Sequence, residues 1–108
     1  MDRMDEADFE TLAEATLATI ARVIEDSGAD VDVELQGGIL TLELADGRQY
    51  VINKHVANRQ IWLSSPVSGA RHCEPFGGRW RDTRDGSDLA ARLADELAAA
   101  TGTPVDLG

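Results

Sequence analysis

Carboxylates are the residues of this chain whose type and spacing could do chemistry, and most of them lie in its first third. Residues 1–34 hold eleven acidic residues and only two basic ones, Arg3 and Arg22, a net charge of −9. The remaining 74 residues hold nine acidic and eight basic residues, a net charge of −1. Such a field repels nucleic acid and anionic lipid, and it attracts cations or basic protein surfaces. We therefore expect neither a nucleic-acid partner nor a membrane partner.

Three groups of these acids lie where negative charge lowers the stability of the fold unless a cation compensates it. The first is a line of like charges four residues apart on a predicted helix. The second lies at the carbonyl end of that helix, where the helix dipole disfavours anions. The third shares one face of a predicted strand. In that order, the groups are Glu6, Glu10 and Glu14; Glu25 and Asp26; and Asp30, Asp32 and Glu34. Carboxylates of this kind, without thiols or a helical histidine pair, suit hard cations held loosely by oxygen. From charge alone, a merely solvated acidic face and a functional surface both remain open.

A second candidate surface surrounds Trp62. The stretch NRQIWLSS, residues 58–65, alternates as a strand, with Ile61 and Leu63 on one face. Trp62 falls on the other, polar face. Either its indole is exposed there, or a neighbouring strand or loop partly covers it. An exposed indole ringed by amides and arginine has the composition of a protein-binding hot spot. The neighbours expected around it are Asn53, Asn58, Arg59, Gln60 and Ser64.

The elements that position these residues predict an α+β fold. Helical spacing predicts a first helix over residues 6–25, ended by Gly28, and a last helix capped by Ser87 and stopped by Gly102. Between them, apolar residues at a period of two predict five or six antiparallel strands, the last two shorter and more polar. Since each helix has one apolar stripe, both must cover the same sheet face, and Trp62 lies on the open one. We expect a two-layer sandwich, α-β-β-β-β-β-β-α, in a single domain over residues 1–108.

Other kinds of chemistry have little support in the sequence. The single Cys73 excludes an internal disulfide and a multi-cysteine zinc site. His55 and His72 are far from each other in sequence and lack metal-ligand spacing, so we expect surface or strand roles for both. The chain has no nucleophile elbow, phosphate-binding loop or dinucleotide fingerprint. It also has no membrane-spanning apolar run, and its acidic start is unlike a signal or transit peptide. These features predict a cytoplasmic protein, or a mature form that has lost a presequence.

The motifs of this chain resemble those of the frataxin family, in its bacterial CyaY branch. The resemblance rests on the acidic first helix and strand, GGILTLEL, DGRQYVINK, NRQIWLSSPVSG, a strand with Trp80, and RDGSDL before the last helix. It implies an iron-binding protein of iron–sulfur cluster assembly that docks on the cysteine desulfurase and scaffold complex, as iron donor or regulator. It also implies a bacterial cytoplasmic protein, or a mitochondrial matrix protein if the chain is a mature eukaryotic form. A metal-independent acidic adaptor that binds a basic partner surface is the alternative.

By position, the resemblance also implies which residues bind. Weakly held Fe²⁺ or Fe³⁺, or another divalent cation, would lie on the carboxylates Glu10, Glu14, Glu25, Asp26, Asp30, Asp32 and Glu34. The partner would be met by Asn53, Asn58, Gln60 and Trp62. Many bacterial members have a histidine where this chain has Glu10, so no imidazole ligand is expected there. Aromatics of the family are also missing near Cys73 and Pro75. No catalytic residue is implied, because nothing here indicates the organised diiron site of a ferroxidase, and a monomer is expected, with oligomerisation on iron left open.

Overall fold

Two helices lie on one face of a six-stranded antiparallel sheet in this computed structural model, which describes residues 4–107. The strands follow one another across the sheet in chain order, so the sheet is a simple meander. The predicted two-layer sandwich is thereby confirmed. The elements are α1 (Glu6–Asp26), β1 (Val31–Gln36), β2 (Ile39–Leu44), β3 (Gln49–His55), a 3₁₀ turn (Val56–Asn58), β4 (Gln60–Ser65), β5 (Gly69–Phe76), β6 (Arg79–Asp82) and α2 (Leu89–Thr101).

Local sequence explains where α1 begins and ends. The Asp5 carboxylate caps the helix by accepting a hydrogen bond of 3.1 Å from the backbone N–H of Asp8. At the other end, Ser27 is the C-cap and Gly28 follows with φ of 82°, a left-handed conformation that glycine adopts without a steric penalty. The predicted helix limits are correct to one residue.

The core lies between the helices and the covered face of the sheet. Every second residue of β2, β3 and β4 points into it, as the period-two pattern predicts. The two helices contribute apolar residues three and four positions apart. Its largest fully buried side chains include Phe9, Leu17, Ile24, Leu42, Tyr50, Ile52, Ile61, Leu63, Leu93 and Leu97. Val105 from the tail is buried against the same core.

The structure corrects two of the predicted element boundaries. The fourth strand starts at Gln60, because the three residues Val56–Asn58 form a 3₁₀ turn and Arg59 takes a positive φ of 53°. The fifth strand is the longest at eight residues, since it pairs with β4 through Gly69–Cys73 and with β6 through Cys73–Phe76. Polar composition alone made it look short.

The cap of α2 also differs from the prediction. Asp88, rather than Ser87, accepts from the backbone N–H of Ala91, and the Ser87 hydroxyl instead donates to Asp85. Gly102 ends the helix with φ of 74°, as expected. Among residues 4–107, neither helix is long and apolar enough to cross a membrane.

Candidate functional site

The seven predicted metal ligands, which we call the acidic ridge, lie on α1, on β1 and on the turn between them. They are Glu10, Glu14, Glu25, Asp26, Asp30, Asp32 and Glu34. The helix packs closely against β1, so the two elements form one border of the molecule. Within residues 4–107, however, no three carboxylate, imidazole or thiol groups come together closely enough to hold one metal ion. The ridge is therefore a row of separate carboxylates and not a preformed metal centre.

Glu10 and Glu14 are held by a cation from the sheet. The Lys54 ammonium, at the end of β3, lies 3.0 Å from Glu10 Oε1 and 2.5 Å from Glu14 Oε2. These contacts, first with Glu14 and then with Glu10, raise the pKa of Lys54 above its ordinary value. Two of the three like charges that the sequence placed four residues apart, Glu10 and Glu14, are thus compensated inside the chain.

The remaining carboxylates of the ridge have no such partner. Within residues 4–107, no Lys, Arg or His side chain forms an ion pair with Glu25, Asp26, Asp30, Asp32 or Glu34, and all five residues are exposed. Asp32 and Glu34 point to the open face of the sheet, because the residues that alternate with them, Val31 and Val33, turn toward the core.

Sequence reasoning missed one carboxylate of this border, Glu43 on β2. The strand register puts Glu43 directly opposite Asp32, and both side chains are exposed. Like charges directly opposite on neighbouring strands destabilise a sheet. The hairpin around Gly37 and Gly38 carries this signal, since counting outward from the turn pairs residue 32 with residue 43. Glu43 therefore lies beside the open part of the ridge as a further carboxylate that the sequence analysis did not include.

The open face of the sheet carries three stacked rings. The indole of Trp62 lies between the imidazoles of His55 and His72, with ring centroids 3.8 Å and 4.1 Å apart and planes within 7° and 11° of parallel. The indole N–H donates to Gln60 Oε1 at 2.7 Å. Trp62 thus lies on the predicted face, but both sides of its ring are covered, and a partner could reach only its edge. We call His55, Trp62 and His72 the ring stack.

The predicted partner-facing residues divide into three that meet and one that does not. Asn53 lies directly opposite Trp62 in the register of β3 and β4, and Gln60 touches the indole. Asn58 is exposed in the 3₁₀ turn outside the strand and, with Arg59, Phe76 and Arg81, lines a separate cleft. Phe76 is 56% exposed there, with the Arg81 guanidinium 3.8 Å from its ring centroid.

His55, His72 and Ile39 join the open face without having been predicted as site residues. Trp62 lies opposite His72 and Asn53, and Asn53 lies opposite Ile39, which is 47% exposed. The two histidines come from strands on either side of Trp62, so their distance in sequence hid their contact. We call Ile39, Asn53, Gln60 and the ring stack the docking face. Its centre carries no carboxylate, ammonium or guanidinium group.

Cys73 takes no part in either surface. It points to the core, where it is buried, and burial together with the nearby Asp82 charge raises the pKa of its thiol to about 12. The thiol is therefore protonated and unreactive at neutral pH.

Comparison with known proteins places the chain in a family. A model of the frataxin-like domain matches residues 2–103. The iron–sulfur cluster assembly protein CyaY of Paraburkholderia phymatum is 36% identical over 104 residues, which is 96% of this chain and 98% of that protein.

Two solved structures share the fold. Frataxin from Psychromonas ingrahamii is 30% identical, with a TM-score of 0.90 over 97% of this chain and 99% of that one. Trimeric yeast frataxin complexed with ferrous iron is 35% identical, with a TM-score of 0.69 over 94% of this chain and 90% of that one. The chain therefore belongs to the frataxin family, in its CyaY branch.

Proposed function

We propose that this chain serves iron–sulfur cluster assembly as a non-catalytic iron-binding protein, an iron donor or a regulator of the cysteine desulfurase and scaffold complex. The similarity to CyaY proteins that bear the name of this pathway supports the role, and so does the yeast frataxin solved with ferrous iron. The observation that carries it is the row of exposed, unpaired carboxylates on the border of α1 and β1. Iron is cargo here, and the bacterial cytoplasm is the proposed compartment.

The acidic ridge suits weak and exchangeable iron binding. Fe²⁺ and Fe³⁺ accept carboxylate oxygens, and an ion on separate surface carboxylates keeps most of its water. Weak binding follows because no three ligands converge among the described residues. The proposed contacts are the seven carboxylates Glu10, Glu14, Glu25, Asp26, Asp30, Asp32 and Glu34. A weakly held ion can pass to a scaffold, which a closed cage would prevent.

The docking face is the proposed contact with the desulfurase and scaffold. Its centre combines aromatic rings and amides without a charged group, and the cores of protein interfaces are likewise rich in aromatic residues and poor in charged ones. The proposed contacts are Asn53, Asn58, Gln60 and Trp62, with Asn58 reaching the partner from the neighbouring cleft. The proposed state without iron is a monomer that can oligomerise when iron is added. The yeast frataxin complexed with ferrous iron, which is trimeric, supports the capacity to oligomerise.

Reconstituted cluster assembly with and without this protein, at several Fe²⁺ concentrations, tests the role. A change in assembly rate is expected, and its sign distinguishes a donor or activator from a brake. The variant Asp30→Asn/Asp32→Asn/Glu34→Gln should change the assembly rate less, and with a weaker dependence on Fe²⁺, than the unchanged protein does. The exposed Asp95→Asn on α2 should behave as the unchanged protein. An assembly rate that is the same with and without this protein at every iron concentration would contradict the proposal.

The metal-independent adaptor is supported by the uncharged docking face beside an acidic border. Trp62→Ala should weaken capture of the desulfurase complex in either case. The variant Asp30→Asn/Asp32→Asn/Glu34→Gln, which we call the triple amide variant, separates the two hypotheses when iron is absent. Only the adaptor hypothesis expects this variant to bind the partner more weakly under that condition, with a loss of affinity that shrinks as salt is added. Unchanged partner affinity together with lost iron binding rejects the adaptor hypothesis.

A further inference from the structure

Lys54 is the only ammonium group among the residues that the structure describes, and it lies on the acidic ridge. Alternation along β3 turns its side chain to the helix side, while Asn53 and His55 face the docking side. Its side chain is 16% exposed, against 37% for Glu10 and 60% for Glu14. The cation is thus the most enclosed member of the group, and the two carboxylates close over it from α1.

The stem of Lys54 is held in place by the β1–β2 turn. A Cβ atom on Gly38 would lie 2.8 Å from Lys54 Cε and 3.1 Å from Cγ, so the stem would have to shift if another residue replaced this glycine. The backbone N–H of Lys54 also donates to the Gly38 carbonyl at 3.1 Å. The turn therefore packs closely against the stem whose ammonium reaches α1.

Within the described part of the chain, Lys54 pairs with two carboxylates of the ridge and leaves the other five without an ion pair. We propose that Lys54 is a tethered competitor that closes the Glu10–Glu14 end of the ridge to divalent cations. Metal is thereby confined to the open segment from Glu25 to Glu34. An ion entering between Glu10 and Glu14 must displace an ammonium that is already present at a high effective concentration. This inference rests on the proposed iron-binding role of the ridge and narrows the seven proposed iron contacts to the five that Lys54 leaves open.

A variant that isolates the Glu10–Glu14 pair tests the proposal. In this background, called the five-amide variant after its ridge positions, the five open carboxylates of the ridge become amides: Glu25→Gln, Asp26→Asn, Asp30→Asn, Asp32→Asn and Glu34→Gln. Glu43→Gln is added to remove the exposed carboxylate opposite Asp32. Mn²⁺ serves as a redox-stable probe, and its free concentration is read from its paramagnetic resonance signal. We expect this background to bind Mn²⁺ negligibly. Adding Lys54→Gln should then lower the dissociation constant by roughly two- to thirtyfold, the factor expected for two partly exposed ion pairs.

Matched variants separate competition from loss of structure. Lys54→Arg keeps the cation and should leave Mn²⁺ binding as weak as in the five-amide background. Glu10→Gln/Glu14→Gln should abolish the binding gained through Lys54→Gln. In the otherwise unchanged chain, Lys54→Gln should add one bound Mn²⁺ ion, which provides a second measurement if the five-amide chain does not fold.

The two proposals fail in different ways. An unchanged chain that binds no more Mn²⁺ than the five-amide variant would overturn the iron-binding role of the open ridge. Strong Mn²⁺ binding by the five-amide variant with Lys54 present would overturn the competition by Lys54. No gain from Lys54→Gln in either background would overturn it as well.

Discussion

Tyr50 shows how far burial changes the chemistry of one side chain. Its ring is fully buried, and its hydroxyl donates to Glu96 Oε1 at 3.1 Å. The Ser65 hydroxyl donates to the same oxygen at 2.6 Å, so Glu96 links β3, β4 and α2. Burial, followed by the hydrogen bond to Glu96 and its charge, raises the pKa of Tyr50 to about 12. The neutral phenol is therefore part of the folded structure.

The chain has one tyrosine, so this pKa can be measured without assignment. Tyrosinate absorbance recorded directly after a jump to alkaline pH should show a midpoint near 12, against about 10 in the unfolded chain. Because the folded pKa is the higher one, its contribution to stability is complete below about pH 10 and is lost as pH rises toward 12. Tyr50→Phe should remove this loss, and a native midpoint near 10 would contradict the buried hydrogen bond.

The ring stack allows a second test on single side chains. His55→Ala and His72→Ala should each lower the free energy of unfolding by about 0.5 to 1.5 kcal/mol, because each removes one stacked aromatic pair. Urea unfolding measures this loss. In a Trp62→Ala background the same substitutions should cost clearly less, since their partner is gone. Equal costs in both backgrounds would show that the rings contribute no stacking energy.

The start of α2 shows how tertiary contacts select a helix cap. Both Ser87 and Asp88 are good cap residues by type, but the Arg79 guanidinium of β6 holds both oxygens of Asp88 at 2.7 Å. Asp88 also forms an isolated bridge with Arg81 through its backbone. One carboxylate thus closes the helix and ties it to the sheet.

Two substitutions at Asp88 separate capping from ion pairing. Asp88→Ala should cost about 1 to 2 kcal/mol of stability, and Asp88→Asn less, because an amide oxygen still caps the helix. The pKa of Asp88 is lowered, chiefly by the hydrogen bond from Arg79, so this part of the stability exists at neutral pH and disappears as pH falls through the acidic range. Urea unfolding near pH 7 and near pH 3 should therefore show a smaller acid-induced loss in Asp88→Asn. Equal acid-induced losses in Asp88→Asn and in the unchanged protein would show that the ion pair with Arg79 does not contribute to stability.

The whole molecule carries its charge unevenly, in a way that fits two separate surfaces. The first 34 residues have a net charge of −9, and most of it lies on the border formed by α1 and β1. The docking face beside it is uncharged at its centre. Self-repulsion along the border should destabilise the folded state at low ionic strength.

Salt should therefore stabilise this protein. Raising ionic strength from about 0.01 to about 0.15 M shortens the screening length from about 30 to about 8 Å, and the Tm should rise. The variant Asp30→Asn/Asp32→Asn/Glu34→Gln should show a smaller rise in thermal unfolding, because three of the repelling charges are gone. An equal rise in Tm for both proteins would show that these three carboxylates do not contribute to the repulsion.

Much of the architecture could be predicted because its signals are local. Apolar residues three and four apart on α1, alternation through β2 to β4, and glycines after the helices are set by neighbours in sequence. The same alternation predicted which face Trp62 occupies. The charge of the first third, and with it a cation-attracting border, also follows from composition alone.

Only the tertiary structure decided how these residues meet. Lys54 reaches Glu10 and Glu14 across 44 and 40 positions of sequence, and no periodicity links them. The contact of His72 with Trp62 depends on the register of β4 with β5, and the choice of Asp88 over Ser87 depends on Arg79. Each of these contacts joins elements whose relative placement comes from packing the whole core. Sequence by itself thus determined two surfaces, one acidic and one aromatic, and the fold determined which of their groups are free to bind.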